Sequence, residues 1–231
     1  MLTLDRLIIR QTDFCLMADL KVPAGSLTAV IGPSGAGKST LLGAIAGFVP
    51  PTSGRILWNG HDMAGLAPGK RPLSILFQDQ NLFPHLTVAD NLGLGLRPDL
   101  RLAAADHARV TQALARVDLA GTEARKPGTL SGGQQSRVAL ARVLLRARPM
   151  LLLDEPFSAL GPALRAEMLD LVRDIAGENG TTVLMVSHDP ADARRIADQA
   201  IIVADGRADP PQSTGALFAN PPPALAAYLG K

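Results

Sequence analysis

The chain has 231 residues and a mass of 24.2 kDa, enough for one large domain or two small ones with a core that needs no staples. Hydrophobic residues make up 47% and charged residues 19%, which excludes intrinsic disorder, and the longest unbroken apolar stretch, 41–49, falls far short of the roughly 20 residues of a membrane span. Twenty-three basic against twenty-one acidic residues leave a net charge of +2, and one Trp, one Tyr and six Phe are scattered along the chain, so neither charge nor stacking surface calls for nucleic acid.

In chain order, the N-terminus lacks a basic stretch followed by an apolar one, so no secretory signal is expected. Cys15 stands alone and cannot form an internal disulfide, which fits a reducing compartment. Short apolar runs then alternate with helical patterns, the signature of a βα sheet. Buried strands are predicted at 27–31, 74–77, 150–153, 183–186 and 201–203; several are apolar throughout, as parallel strands covered on both faces should be. Between the second and third, Val110, Leu114 and Val117 share one face of a helix predicted over 103–119. Another is predicted over 134–147, stopped by Pro149, with Arg137, Arg142, Arg146 and Arg148 as a solvated face. The expectation is a single α/β domain over 1–231. Its core comprises 1–86 and 150–231, and a mainly helical subdomain occupies about 87–149.

The strongest motif is GPSGAGKST at 32–40, which fits G-x-x-x-x-G-K-[ST] without mismatch. A strand precedes it and a helical pattern follows, which separates a phosphate loop from a chance cluster of glycines. Gly32, Gly35 and Gly37 allow backbone angles and close approach that side chains would block. With Ser34, Ala36 and Thr40 they place a run of N–H groups at a helix N-terminus, where the dipole favours anions; Pro33, in the same loop, has no N–H to add. Lys38 is expected to reach the β- and γ-phosphates of a nucleotide, and Ser39 to place its hydroxyl on Mg²⁺.

MLLLDEP at 150–156 puts two carboxylates at the carboxyl end of a central strand, where open α/β sheets bind ligands. Asp154 suits Mg²⁺, a hard cation that prefers carboxylate oxygen. Glu155 is the candidate general base for an attacking water. LSGGQ at 130–134 supplies a second anion site: Ser131 is a helix cap, and Gly132, Gly133 and Gln134 lead into the helix. Alone that pentapeptide also suits an ordinary turn.

Between a phosphate loop and DEP, however, LSGGQ makes the chain resemble the ATP-binding cassette (ABC) family over essentially its whole length. The resemblance implies a P-loop NTPase core with a parallel-rich sheet, N-terminal antiparallel strands and a helical signature subdomain. Gln78 resembles the family's Q-loop glutamine, which contacts Mg²⁺ and the reacting water, and His188 its switch histidine, which contacts the γ-phosphate. Lys38, Gln78, Glu155 and His188 are thus the implied catalytic set. ATP and Mg²⁺ are the implied ligands. A head-to-tail homodimer would form in the ATP state, with each ATP held between one copy's phosphate loop and the other's LSGGQ.

Two positions depart from the family pattern. Gly161 replaces the usual aspartate after Ser-Ala-Leu, which either removes a carboxylate from the dimer interface or marks a positive φ that aspartate tolerates poorly. Gln11 falls where an aromatic usually stacks on adenine; the nearest aromatic is Phe14, so stacking is either weaker or supplied elsewhere.

The single cassette and compact insert resemble importer ATPases rather than soluble, non-transport members of the family. The implied partners are a transmembrane permease and, through it, a periplasmic substrate-binding protein, with no nucleic acid. The implied place is the cytoplasmic face of the inner membrane. Leu82, Phe83, Leu86 and Val88, after the Q-loop, are either permease-facing or core. The runs at 71–96, 154–172 and 203–207 resemble ATPases of thiamine importers, while those for iron, polyamine, sulfate or molybdate share most of the motifs.

Overall fold

In the computed structural model, which describes residues 1–11, 14–79 and 81–228, β1 (Leu2–Gln11) opens the chain with an alternation that changes phase. Leu2 and Leu4 are buried, then Leu7 and Ile9. A period of two would put Leu7 on the solvent face. A bulge corrects this: the pairing register slips between Leu4 and Leu7, and Arg6 takes φ +46°. Both neighbours of β1 are antiparallel, β2 (Phe14–Val22) on one side and β4 (Ser53–Trp58) on the other. Beyond β4 lies the short β5 (His61–Asp62).

The remaining strands are β3 (Leu27–Ile31), β6 (Leu73–Leu76), β7 (Met150–Asp154), β8 (Thr182–Val186) and β9 (Gln199–Ala204), followed by the two-residue β10 (Arg207–Ala208) and β11 (Gln212–Ser213). Their order in the sheet is β5-β4-β1-β2-β10-β9-β3-β8-β7-β6, with β11 on β9. The stretch β9-β3-β8-β7-β6 is parallel throughout. All five residues of β3 and of β8 are buried, because helices cover both faces. The expected strands at 74–77 and 201–203 differ at their ends: β6 runs one residue earlier, and β9 extends in both directions through its pairing with β3 and β10.

On one face of the parallel strands packs α1 (Lys38–Ala46), whose last carbonyls, Ala44 and Ile45, accept from the Arg71 guanidinium. Arg71 is 3% exposed, so a buried guanidinium caps the carbonyls at the end of α1. The other face carries α5 (Pro162–Asn179), α6 (Pro190–Ile196) and α7 (Thr214–Ala219), and α8 (Pro223–Tyr228) follows.

The helices α2 (Val88–Gly93), α3 (Ala104–Arg116) and α4 (Gly132–Leu145) share a hydrophobic cluster of their own, built on Val88, Leu92, Val110, Leu114 and Val138. α3 ends three residues before the expected 119 because Asp118 enters the left-handed region at φ +55°, folding Leu119 back so that its N–H reaches the Leu114 carbonyl. α4 starts two residues earlier than expected: Ser131 Oγ accepts from Gln134 N–H, and Gln134 Oε1 accepts from Ser131 N–H, a closed capping box. The arginines of α4 do not form a free solvated face. Arg137 pairs with Asp118 and Glu167, and Arg142 donates to the Asn81 carbonyl, because α4 is flanked by α2, α3 and β6. Among the described residues no helix is long and apolar enough to cross a membrane.

Candidate active site

The loop 32–37 joins β3 to α1 at the carboxyl end of the parallel strands. Gly32 has φ +151°, and a Cβ there would lie 2.0 Å from the Val203 carbonyl oxygen. Only glycine lets β3 leave the sheet this close to β9. Gly32→Ala is therefore expected to destabilise the chain by at least about 2 kcal/mol, read from a urea melt. Gly37 is also left-handed, at φ +99°, and a Cβ there would lie 2.3 Å from Phe14 Cζ. The Phe14 ring thus lies on the phosphate loop, although Phe14 belongs to β2. Gln11 ends β1 in an exposed position. Nothing in sequence spacing placed Phe14 there, since the contact is made across the fold.

Lys38 opens α1 and is 7% exposed. Its ammonium donates to the carbonyls of Gly32 at 2.9 Å and Pro33 at 2.8 Å, so it closes the loop on itself. Burial lowers its pKa, opposed by the charges of Glu155 and Asp154. Ser39 Oγ donates to Asp154 Oδ1 at 3.0 Å, joining α1 to the end of β7 across 115 residues of sequence. Burial raises the Asp154 pKa, against the Ser39 hydrogen bond. One carboxylate beside one hydroxyl at a phosphate loop fits Mg²⁺, which takes few protein ligands and shares the phosphates of a nucleotide. Ser34, Gly35, Ala36 and Thr40 complete the loop and the first turn of α1.

Glu155 follows β7 with φ +47°, a conformation that costs a non-glycine residue about 1–2 kcal/mol. Its N–H donates to the Val186 carbonyl at 3.2 Å, and its own carbonyl accepts from Ser158 Oγ at 3.1 Å. These bonds hold the turn that brings its carboxylate to His188, whose Nδ1 lies 3.0 Å from Glu155 Oε2. A carboxylate can only accept, so Nδ1–H donates. Gln78 is exposed two residues beyond β6. β6 and β7 are neighbouring parallel strands, so Gln78 and Glu155 both follow strands that end at the same edge of the sheet.

Ser131, Gly132, Gly133 and Gln134 form the capped start of α4. A Cβ on Gly133 would lie 2.2 Å from Leu164 Cδ2, so the α4 start sits close against the first turn of α5. Gly161 is the residue before that turn. Its φ is −64° and nothing lies within 4 Å of a Cβ built there. Of the two readings of Gly161, the positive φ is thus overturned: Gly161 is the N-cap of α5, a position aspartate favours. Gly161→Asp is expected to raise stability by about 0.5–1 kcal/mol, a melting-point gain of roughly 1–4 °C, through capping and a less flexible unfolded chain. Of the apolar residues after the Q-loop, Val88 is fully buried core and Phe83 is exposed.

Parallel strands ending in a phosphate loop, a strand-end Asp-Glu pair and a histidine just past the end of the neighbouring strand define a P-loop nucleotide-binding cassette. Residues 17–158 match the model of the ABC transporter family. The chain belongs to that family. It is 69% identical over 230 residues, 100% of both chains, to the thiamine import ATP-binding protein ThiQ of Cereibacter sphaeroides. Identity is 61%, again over 100% of both chains, to the protein of that name from Ruegeria sp.. A solved structure of the ATP-binding cassette MJ0796, a dimer in a post-hydrolysis state bound to ADP and Pi, matches with a TM-score of 0.80 at 29% identity, covering 93% of this chain and 99% of that one.

Proposed function

We propose that this chain is the ATP-hydrolysing subunit of a thiamine importer, acting as a head-to-tail dimer on a membrane permease. The observation that carries the substrate is the 69% identity, end to end, to a thiamine import ATP-binding protein. The chemistry rests on the site. ATP phosphates settle on the N–H groups of the loop, and the Lys38 ammonium exchanges its two loop carbonyls for phosphate oxygens. Ser39 and Asp154 would hold Mg²⁺, which would neutralise phosphate charge there. Gln78 and Glu155 orient water in line with the γ-phosphorus. Water attacks, the bond from that phosphorus to the β,γ-bridging oxygen breaks, and Glu155 takes the water proton while ADP leaves. His188, which faces Glu155 through Nδ1, holds the γ-phosphate and registers its departure.

The capped start of α4 supports a dimer. Its N–H groups form an anion site that a second copy's γ-phosphate would fill, and the matching cassette MJ0796 is described as a dimer. Phe14 supplies the aromatic surface for adenine that Gln11 does not. Loss of base stacking is worth about 1–3 kcal/mol, so Phe14→Ala is expected to raise the KM for ATP roughly tenfold with kcat little changed. Exposed Phe48 and Phe83 flank the Q-loop region, with Phe48 and Phe77 centroids 5.8 Å apart, and offer the permease an apolar contact. The deciding measurement is uptake in proteoliposomes holding the chain, its permease and binding protein. ATP-dependent thiamine accumulation is expected. Accumulation of iron, a polyamine, sulfate or molybdate instead would reassign the substrate.

A further inference from the structure

We propose that Tyr228, at the end of α8, is a positioning residue for His188: its hydroxyl donates to the His188 carbonyl oxygen and holds the loop that aims the imidazole at Glu155. This rests on the roles given above to Glu155 and His188.

The loop between β8 and α6 is short, and its flanks are fixed from the side of α5. Ser187 is 3% exposed; its Oγ donates to Asp192 Oδ2 at 2.5 Å and accepts the Asp189 N–H at 3.0 Å. Arg165, four residues past Gly161, donates through Nε to Asp192 Oδ2 at 3.0 Å and lies 3.5 Å from Asp189. These contacts secure the residues before and after His188. They leave the peptide carbonyl of His188 itself to Tyr228, which approaches from the far end of the chain.

The geometry of Tyr228 suits that task. Its ring packs against the hydrophobic cluster between the sheet and α5, which anchors the hydroxyl independently of the loop. Burial first, then the negative charges of Asp189, Glu155 and Asp192, push its pKa up, so the hydroxyl stays a donor. Fixing the His188 carbonyl fixes the backbone that carries the imidazole, and with it the 3.0 Å approach of Nδ1 to Glu155. ATP binding rests on other groups, the loop N–H groups and Lys38. The hydroxyl therefore bears on turnover more than on nucleotide affinity, to which His188 adds a single contact with the γ-phosphate.

The test is steady-state ATPase kinetics and thermal melting of Tyr228→Phe, which keeps the ring and deletes the donor. One hydrogen bond of ordinary strength corresponds to a fall in kcat of about three- to tenfold, with KM for ATP within twofold and the melting temperature within about 2 °C. An unchanged kcat overturns the proposal. So does a fall in kcat accompanied by a raised KM, which would make Tyr228 a nucleotide-binding residue. A loss of several degrees in melting temperature would make its role structural and overturn it equally. Glu155→Gln is measured alongside. Retained turnover there would sink the catalytic assignment itself, whereas loss of turnover there with a wild-type Tyr228→Phe would sink only the positioning role.

Discussion

Glu155→Gln is expected to bind ATP with near-normal affinity and to hydrolyse it about 10²–10⁴-fold more slowly, the range a positioned general base contributes. Glutamine keeps the size of the side chain and its ability to accept from His188 Nδ1, but it cannot take a proton from water. The turn at residue 155 does not depend on the carboxylate. It is held by the backbone bonds to Val186 and Ser158, so the fold is expected to survive. A cassette that binds ATP without cleaving it should accumulate as the closed dimer. Size-exclusion chromatography with ATP and Mg²⁺ should show that dimer, and mostly monomer without nucleotide. Undiminished turnover would move the base elsewhere on the chain.

Lys38→Ala is expected to weaken ATP binding by at least about a hundredfold, since two hydrogen bonds from a charged donor are each worth about 1.5–3 kcal/mol. The resting structure sharpens this expectation. The ammonium already spans the loop, bonded to the carbonyls of Gly32 and Pro33. Alanine removes both the phosphate ligand and the group that keeps the loop preformed, so the variant must order the loop as it binds. Isothermal titration with a non-hydrolysable ATP analogue measures the loss. Near-normal affinity would refute the assignment of residues 32–40 as the phosphate loop.

Local chemistry made much of this protein legible in one dimension. The phosphate loop, the strand-end Asp154 and Glu155 and the capped start of α4 are each built from neighbours in sequence, so spacing and residue type specify them. Parallel strands buried on both faces announce themselves as apolar runs, and all five expected ones exist. Ends were less legible, because they turn on single backbone angles. Asp118 ends the turn after α3 in the left-handed region, and the Arg6 bulge reverses the alternation of β1.

What only the tertiary structure decided is which distant residues meet. Phe14 lies on Gly37 because β2 runs beside the phosphate loop. Gly161 is an ordinary N-cap, and no residue pattern distinguished that from a left-handed turn. Ser187, Asp192 and Arg165 frame His188, and Tyr228 closes the frame from 40 residues away. A side chain's partner across the fold is fixed by sheet order and helix packing, which depend on the whole chain at once. A motif depends only on its own backbone, and that is why the phosphate loop and the strand-end carboxylates are legible in the sequence by itself, while the fold determined how the histidine beside them is held.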